Sequence, residues 1–121
     1  MEQTKNTLGN WGEQRAAAYL QTLGYKILKQ NFRLGQVGEI DIVADDHGTL
    51  VFVEVKTQST DTMGDAMSWV TPKKQRQLGR IAQAYLTFNK IENRDCRFDV
   101  IAVARRGTEV EIKHIPNAFW L

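Results

Sequence analysis

Asp41 and the run Glu54-Val55-Lys56 set two carboxylates and an ammonium into segments that otherwise read as buried strand. Leu50-Val51-Phe52-Val53 is apolar at every position, as in a strand covered on both faces, and Glu54 and Lys56 continue it with no turn residue between. Ionised groups in such places are costly unless they are paired, bound to a cation or left at a solvated strand end. Hard divalent cations such as Mg²⁺ or Mn²⁺ take carboxylate, carbonyl and water oxygens, which makes Asp41, Glu54 and the Val55 backbone carbonyl candidate metal ligands. A cation held there would activate a water and neutralise charge building on a scissile phosphate, while Lys56 orients that water or stabilises the transition state. The bland alternative is a structural network in which Asp41, Glu54 and Lys56 neutralise one another.

Whether these side chains meet depends on a hairpin. Ile40 to Ala44 and Leu50 to Lys56 flank the turn-forming cluster Asp45-Asp46-His47-Gly48, so the two segments are expected to pair antiparallel. A loop with an even number of residues places Asp41 on the face of Glu54 and Lys56. A two-residue loop at His47-Gly48 sets Asp41 directly opposite Glu54, a four-residue loop sets it opposite Phe52, one diagonal step away, and an odd loop without a bulge sends it to the other face. Glu39 is a lesser candidate, because its place depends on the register.

The surrounding elements follow from period and punctuation. Asn6 to Leu23 reads as a helix ended by Gly24, with Asn6, Thr7 or Asn10 as candidate caps. Ala16, Ala17 and Leu20 form its apolar stripe, and Glu13 projects from the middle of that stripe, either toward the site or as a capping-box partner of Asn10. Tyr25 to Arg33 is a strand, Leu34 to Gly38 a glycine-rich turn, and Thr57 to Trp69 a loop without steady period. Thr71-Pro72 opens a second helix with the stripe Leu78, Ile81, Ala82 and Tyr85. Lys74 and Gln75 extend that stripe and either reach the site or bond locally. Arg97 to Arg105 and Val110 to Ile115 form a closing hairpin around Arg106-Gly107-Thr108. The order helix, three strands, helix, two strands implies an α/β fold, a mixed sheet of about five strands packed with two main helices.

With 121 residues the chain is one domain, residues 1–121, able to bury a core without staples. The lone Cys96 forms no internal bridge, and no apolar run approaches a membrane span or a signal peptide, so a cytoplasmic setting is expected. Sixteen basic against fourteen acidic residues is too mild a balance to prove a polyanionic partner. Lys73, Lys74, Arg76 and Arg80 nevertheless cluster on one segment, either as nucleic-acid contacts or as a solvated helix face. His47 and His114 are distant from each other and from Cys96, which leaves no zinc spacing, and no Ser, His and Asp arrangement or phosphate loop stands out.

Gly9, Gly12-Glu13, Gly24-Tyr25, Asn31-Phe32-Arg33, Gly38-Glu39-Ile40-Asp41, Phe52-Val53-Glu54-Val55-Lys56, Thr71-Pro72-Lys73-Lys74, Arg97-Phe98-Asp99-Val100 and Asn117-Ala118-Phe119 recur in these positions in a known group. On these blocks the chain resembles the PD-(D/E)xK nuclease superfamily, and within it the YraN-type family of small bacterial proteins. The resemblance implies a restriction-endonuclease-like fold similar to that of Holliday junction resolvases, in which an acid on the first helix joins the sheet carboxylates. Glu13 would take that role beside Asp41, Glu54 and Lys56, and Gln75 occupies the region where related nucleases carry a helical Gln. The full Gln-x-x-x-Tyr signature is absent. The function so implied is Mg²⁺- or Mn²⁺-dependent cleavage of structured or branched DNA, with Lys73, Lys74, Gln75, Arg76 and Arg80 as nucleic-acid contacts. Two other expectations stand beside it: a binding module that keeps the fold without turnover, and an interaction protein or homodimer docking through Phe119-Trp120-Leu121, residues that could equally pack back onto the domain itself.

Overall fold

The computed structural model describes residues 7–58 and 66–119. Its centre is the hairpin expected from Asp45-Asp46-His47-Gly48. His47 (φ 51°) and Gly48 (φ 105°) both adopt the left-handed region, which a two-residue turn matched to strand twist requires. They join β2 (Gly38–Asp46) to β3 (Thr49–Gln58), with Asp46 opposite Thr49 and the ladder running back to Ile42 opposite Val53. The Asp45 carboxylate accepts from the Gly48 N–H at 3.0 Å and from Arg94 at 2.6 Å, and Arg94 also donates to the Gly48 carbonyl at 3.0 Å. That clamp fixes the register on which the site depends.

Strand β1 (Lys26–Leu34) pairs antiparallel with β2 on one side, and β4 (Cys96–Arg106) pairs parallel with β3 on the other. A second hairpin adds β5 (Glu109–Phe119), giving the sheet order β1-β2-β3-β4-β5. Helix α1 (Thr7–Thr22) precedes the sheet and α2 (Pro72–Phe88) links the parallel pair, so the α-β-β-β-α-β-β order and the α/β class are as the sequence implied. Some boundaries move. Thr57 and Gln58 belong to β3, because they pair with Val103 and Ala104, and Ala66–Trp69 forms a short 3-10 turn. Residues 59–65 of the expected loop lie outside the described residues. Among the described residues no helix is long and apolar enough to cross a membrane.

The two helices cover opposite faces. Alternation along β3 sends Val51 and Val53 to α1, where they meet Ala16, Ala17 and Leu20, and sends Leu50 and Phe52 to α2, where they meet Leu78, Ile81, Ala82 and Tyr85. Thr71 caps α2 by accepting from the Lys74 N–H at 3.2 Å, with Pro72 at the first helical position. Close packing of α1 is set by Gly12: a Cβ there would lie 2.8 Å from the Thr57 Cβ, an atom fixed to the backbone of β3. Alanine favours a helix over glycine by up to about 1 kcal/mol, whereas overpacking costs about 1–3 kcal/mol. Gly12→Ala should therefore lose about 1–2 kcal/mol in a urea titration; unchanged or higher stability would refute this account of the packing.

One irregularity matters for chemistry. Ile42 and Ala44 pack with the α1 cluster and Val43 with the α2 cluster, yet Ile40 also lies with the α2 cluster, so strict alternation slips at Asp41. Across from it, β1 bends at Asn31, which holds φ 57°, and the register passes from Gln30 opposite Ile42 to Phe32 opposite Ile40. The slip frees Asp41 to face partners that regular pleating would put on different sides.

Candidate metal centre

Glu13 is the seventh residue of α1 and is buried, with 7% of its surface exposed. The helix begins at Thr7 and holds Asn10 inside it, so the capping-box alternative for Glu13 falls away. Its carboxylate instead accepts from the Asn31 side chain at 2.7 Å, and the same amide approaches the Asp41 carbonyl at 3.5 Å. Asn31 thus ties the first helix to the bent strand, a role that sequence reasoning missed. The available signal was its residue type, since Asn tolerates left-handed backbone better than most residues.

Asp41, 9% exposed, accepts the Val55 N–H at 2.8 Å just where the β2–β3 ladder stops. Oxygens of Glu13, Glu39 and Asp41 all lie within 4.8 Å of one another. Glu54 adds a fourth acid through a hydrogen bond to Asp41 and an ion pair with Lys74 at 3.5 Å. Burial pushes the Glu54 carboxyl above its ordinary range and the Glu13 charge adds to this, outweighing the opposing pull of Lys74 and the Asp41 bond. Two carboxyls in hydrogen-bond contact share a proton between them, and a cation seated there would have to displace it. The donor set is all oxygen, which suits hard cations such as Mg²⁺ or Mn²⁺.

The basic candidates divide. Lys56 is exposed, its ammonium over the Trp69 ring at 5.5 Å from the centroid. Lys74 reaches Glu54, whereas Gln75 bonds locally to the Val70 carbonyl at 3.0 Å and so braces the start of α2. Lys73, Arg76 and Arg80 line a pocket with Val37 and Gln77.

A second polar constellation, unforeseen from the sequence, lies toward the other end of β4. Asp99 is fully buried and accepts from Arg97 Nε at 3.0 Å and the Asn117 N–H at 3.0 Å, with His114 Nε2 at 2.7 Å. The other ring nitrogen of His114 meets the Tyr19 hydroxyl at 3.2 Å, and Arg97 also donates to Tyr25 and pairs with Asp46. Burial would raise the Asp99 carboxyl, but bonds from His114, Asn117 and Arg97 outweigh it and hold the group below the ordinary aspartate range. The network fastens β4, β5 and the end of α1 to one another.

Fold and site together define a class: a small α/β domain with carboxylates from its first helix and two central strands gathered at one end of a mixed sheet. The profile described as "Uncharacterised protein family UPF0102" matches residues 12–103, and the chain belongs to that family. A UPF0102 protein of Syntrophotalea carbinolica is 50% identical over 113 residues, covering 93% of this chain and 91% of its own. One from Prosthecochloris aestuarii is 44% identical over 119 residues, covering 93% of each, and one from Chlorobium chlorochromatii is 48% identical over 120 residues, covering 94% and 92%.

Proposed function

We propose that this chain is a divalent-cation-dependent endonuclease of the PD-(D/E)xK type that acts on structured or branched DNA. The observation that carries the reading is the gathering of Glu13, Glu39 and Asp41 within 4.8 Å, with Glu54 bonded to Asp41. Four acids gathered in a largely buried place exceed what their bonds to Asn31, the Val55 N–H and Lys74 balance, and such an excess of negative charge supports a cation-binding role. In this reading Asp41, Glu54 and the Val55 carbonyl hold Mg²⁺ or Mn²⁺, with Glu13 orienting its hydration shell and Glu39 closing the rim. The bound cation supplies an activated water and charge neutralisation at the phosphate. Lys56 swings from Trp69 to orient that water, and Lys74 keeps Glu54 aimed between the helix and the strand.

The test is to incubate the purified protein with junction, flap and plain duplex DNA in Mg²⁺ or Mn²⁺. Cleavage of the branched substrates above a Glu54→Ala control is expected; no cleavage above that control would falsify the enzymatic reading.

A second reading, a nucleic-acid-binding module without turnover, is favoured by the basic pocket on α2. It requires binding that weakens steeply with salt and ignores Asp41→Ala. The interaction-protein reading has less support: Phe119 is buried and stacks on Phe98 at 4.8 Å, while Trp120 and Leu121 lie outside the described residues. A cytoplasmic setting and a homodimer remain part of the proposal, the latter to be read from sedimentation mass.

A further inference from the structure

Three cations of α2, Lys73, Arg76 and Arg80, converge with Gln77 and Val37 on one pocket of about 360 Å³. Their spacing of three and four residues puts them on a single helix face, and among the described residues no acidic side chain lines the cavity. A water occupies about 30 Å³ of liquid, so a hydrated phosphate fits. The pocket wall is built firmly. Gln77 donates to the Val37 carbonyl, and Gly38 (φ 143°) packs so close that a Cβ there would stand 3.0 Å from the Gln77 amide nitrogen. Gly38 leads directly into Glu39 of the carboxylate cluster, so pocket and cluster share one stretch of backbone.

We infer that this pocket seats one phosphate of the nucleic-acid backbone, close to but distinct from the phosphate presented to the carboxylates. Spacing supports the assignment. Val37, the last residue of the turn, and Glu39 are two residues apart along the chain, so their Cα atoms are separated by at most about 7 Å. Successive phosphates of one strand rise only about 3.4 Å along a duplex axis but stand nearly twice as far apart through space because the strand winds, so the separation matches neighbouring phosphates. Guanidinium forks from Arg76 and Arg80 suit bidentate capture of phosphate oxygens, and Lys73 adds a point charge at the mouth. The substrate is then gripped by its backbone at a fixed offset from the site, which selects a continuous phosphodiester strand over a mononucleotide. The inference rests on the nucleic-acid part of the proposed function and not on turnover.

The experiment is anisotropy of a fluorescein-labelled duplex in EDTA, with Arg76→Ala/Arg80→Ala compared with wild type and with Lys113→Ala, an exposed cation on β5. The double variant should weaken binding at least about tenfold and lower the salt slope by about one unit, while Lys113→Ala changes neither. Placing a neutral methylphosphonate at successive positions should cost wild type a similar factor at one position only, with no further loss in the double variant. Equal affinity and slope for the double variant, or losses that add, would overturn the pocket assignment even if the wild type cleaves DNA. Pocket-dependent binding without cleavage would leave it standing and sink the endonuclease reading. No binding by wild type in EDTA would end the pocket assignment, while the endonuclease reading is judged separately by cleavage in Mg²⁺ or Mn²⁺.

Discussion

Asp99→Ala should remove about 3–5 kcal/mol of stability, as much as truncating a large core side chain. The substitution strands Arg97, His114 and the Asn117 N–H, which now converge on one fully buried carboxylate. Breaking a buried pair by deleting one partner leaves uncompensated charge in the interior, and that cost governs here because Arg97 keeps only Asp46 and Tyr25. Since small domains are stable by about 5–15 kcal/mol, the variant would sit near the folding threshold at ordinary temperature. Urea unfolding followed by circular dichroism measures it; a loss under about 1 kcal/mol would show the network to be ornamental. The same group predicts acid behaviour. Its carboxyl lies below the ordinary range when folded, so its contribution is complete above the unfolded value near about pH 4 and disappears as pH falls through the lower, folded one. Wild type should lose more stability between neutrality and strong acid than Asp99→Asn does.

Asp41→Asn should abolish cation binding and reduce DNA cleavage roughly a thousandfold, equivalent to about 4 kcal/mol of transition-state stabilisation. The amide oxygen can still accept the Val55 N–H, so the local backbone is kept while the charge that Glu13, Glu39 and Glu54 surround is lost. Two measurements separate this from simple damage. In EDTA the variant should match or exceed wild-type Tm, because it relieves crowding among carboxylates. With Mn²⁺ at a hundred times its Kd, wild type should gain about 2.7 kcal/mol and the variant nothing. Glu54 gives the pH dependence: its carboxyl is raised by burial and must lose its proton to bind a cation, so affinity should climb as pH rises through that raised value. An equal Mn²⁺ response from wild type and Asp41→Asn would remove the metal centre from consideration.

Much of this architecture was legible because it rests on local punctuation. The cluster Asp45-Asp46-His47-Gly48 marked the hairpin of β2 and β3, though not whether its loop held two residues or four, and Thr71-Pro72 marked the start of α2. Helical period placed Glu13 on the stripe of Ala16, Ala17 and Leu20 but left a capping bond to Asn10 open, and it was the resemblance that turned the acid toward the site. Glu39 was harder, since its approach depends on the slip at Asp41 and on the bend of Asn31, both of which break the two-residue period used to assign faces. The Asp99 network was out of reach. His114 and Tyr19 meet only through the packing of α1 against the β4–β5 pair, whose register shifts between Phe98 and Val100. Lys74 and Gln75, neighbours on one stripe, parted company because one faces β3 and the other the turn before the helix.

Asn31 bends a strand and feeds a hydrogen to Glu13 with the same side chain and backbone. Glycine would tolerate the contour but contribute no donor; aspartate would tolerate it nearly as well and turn an amide that gives into an oxygen that competes; alanine would satisfy neither demand. Of the twenty side chains almost none meets both conditions, so the permitted vocabulary at this position shrinks toward a single letter before any reaction is considered.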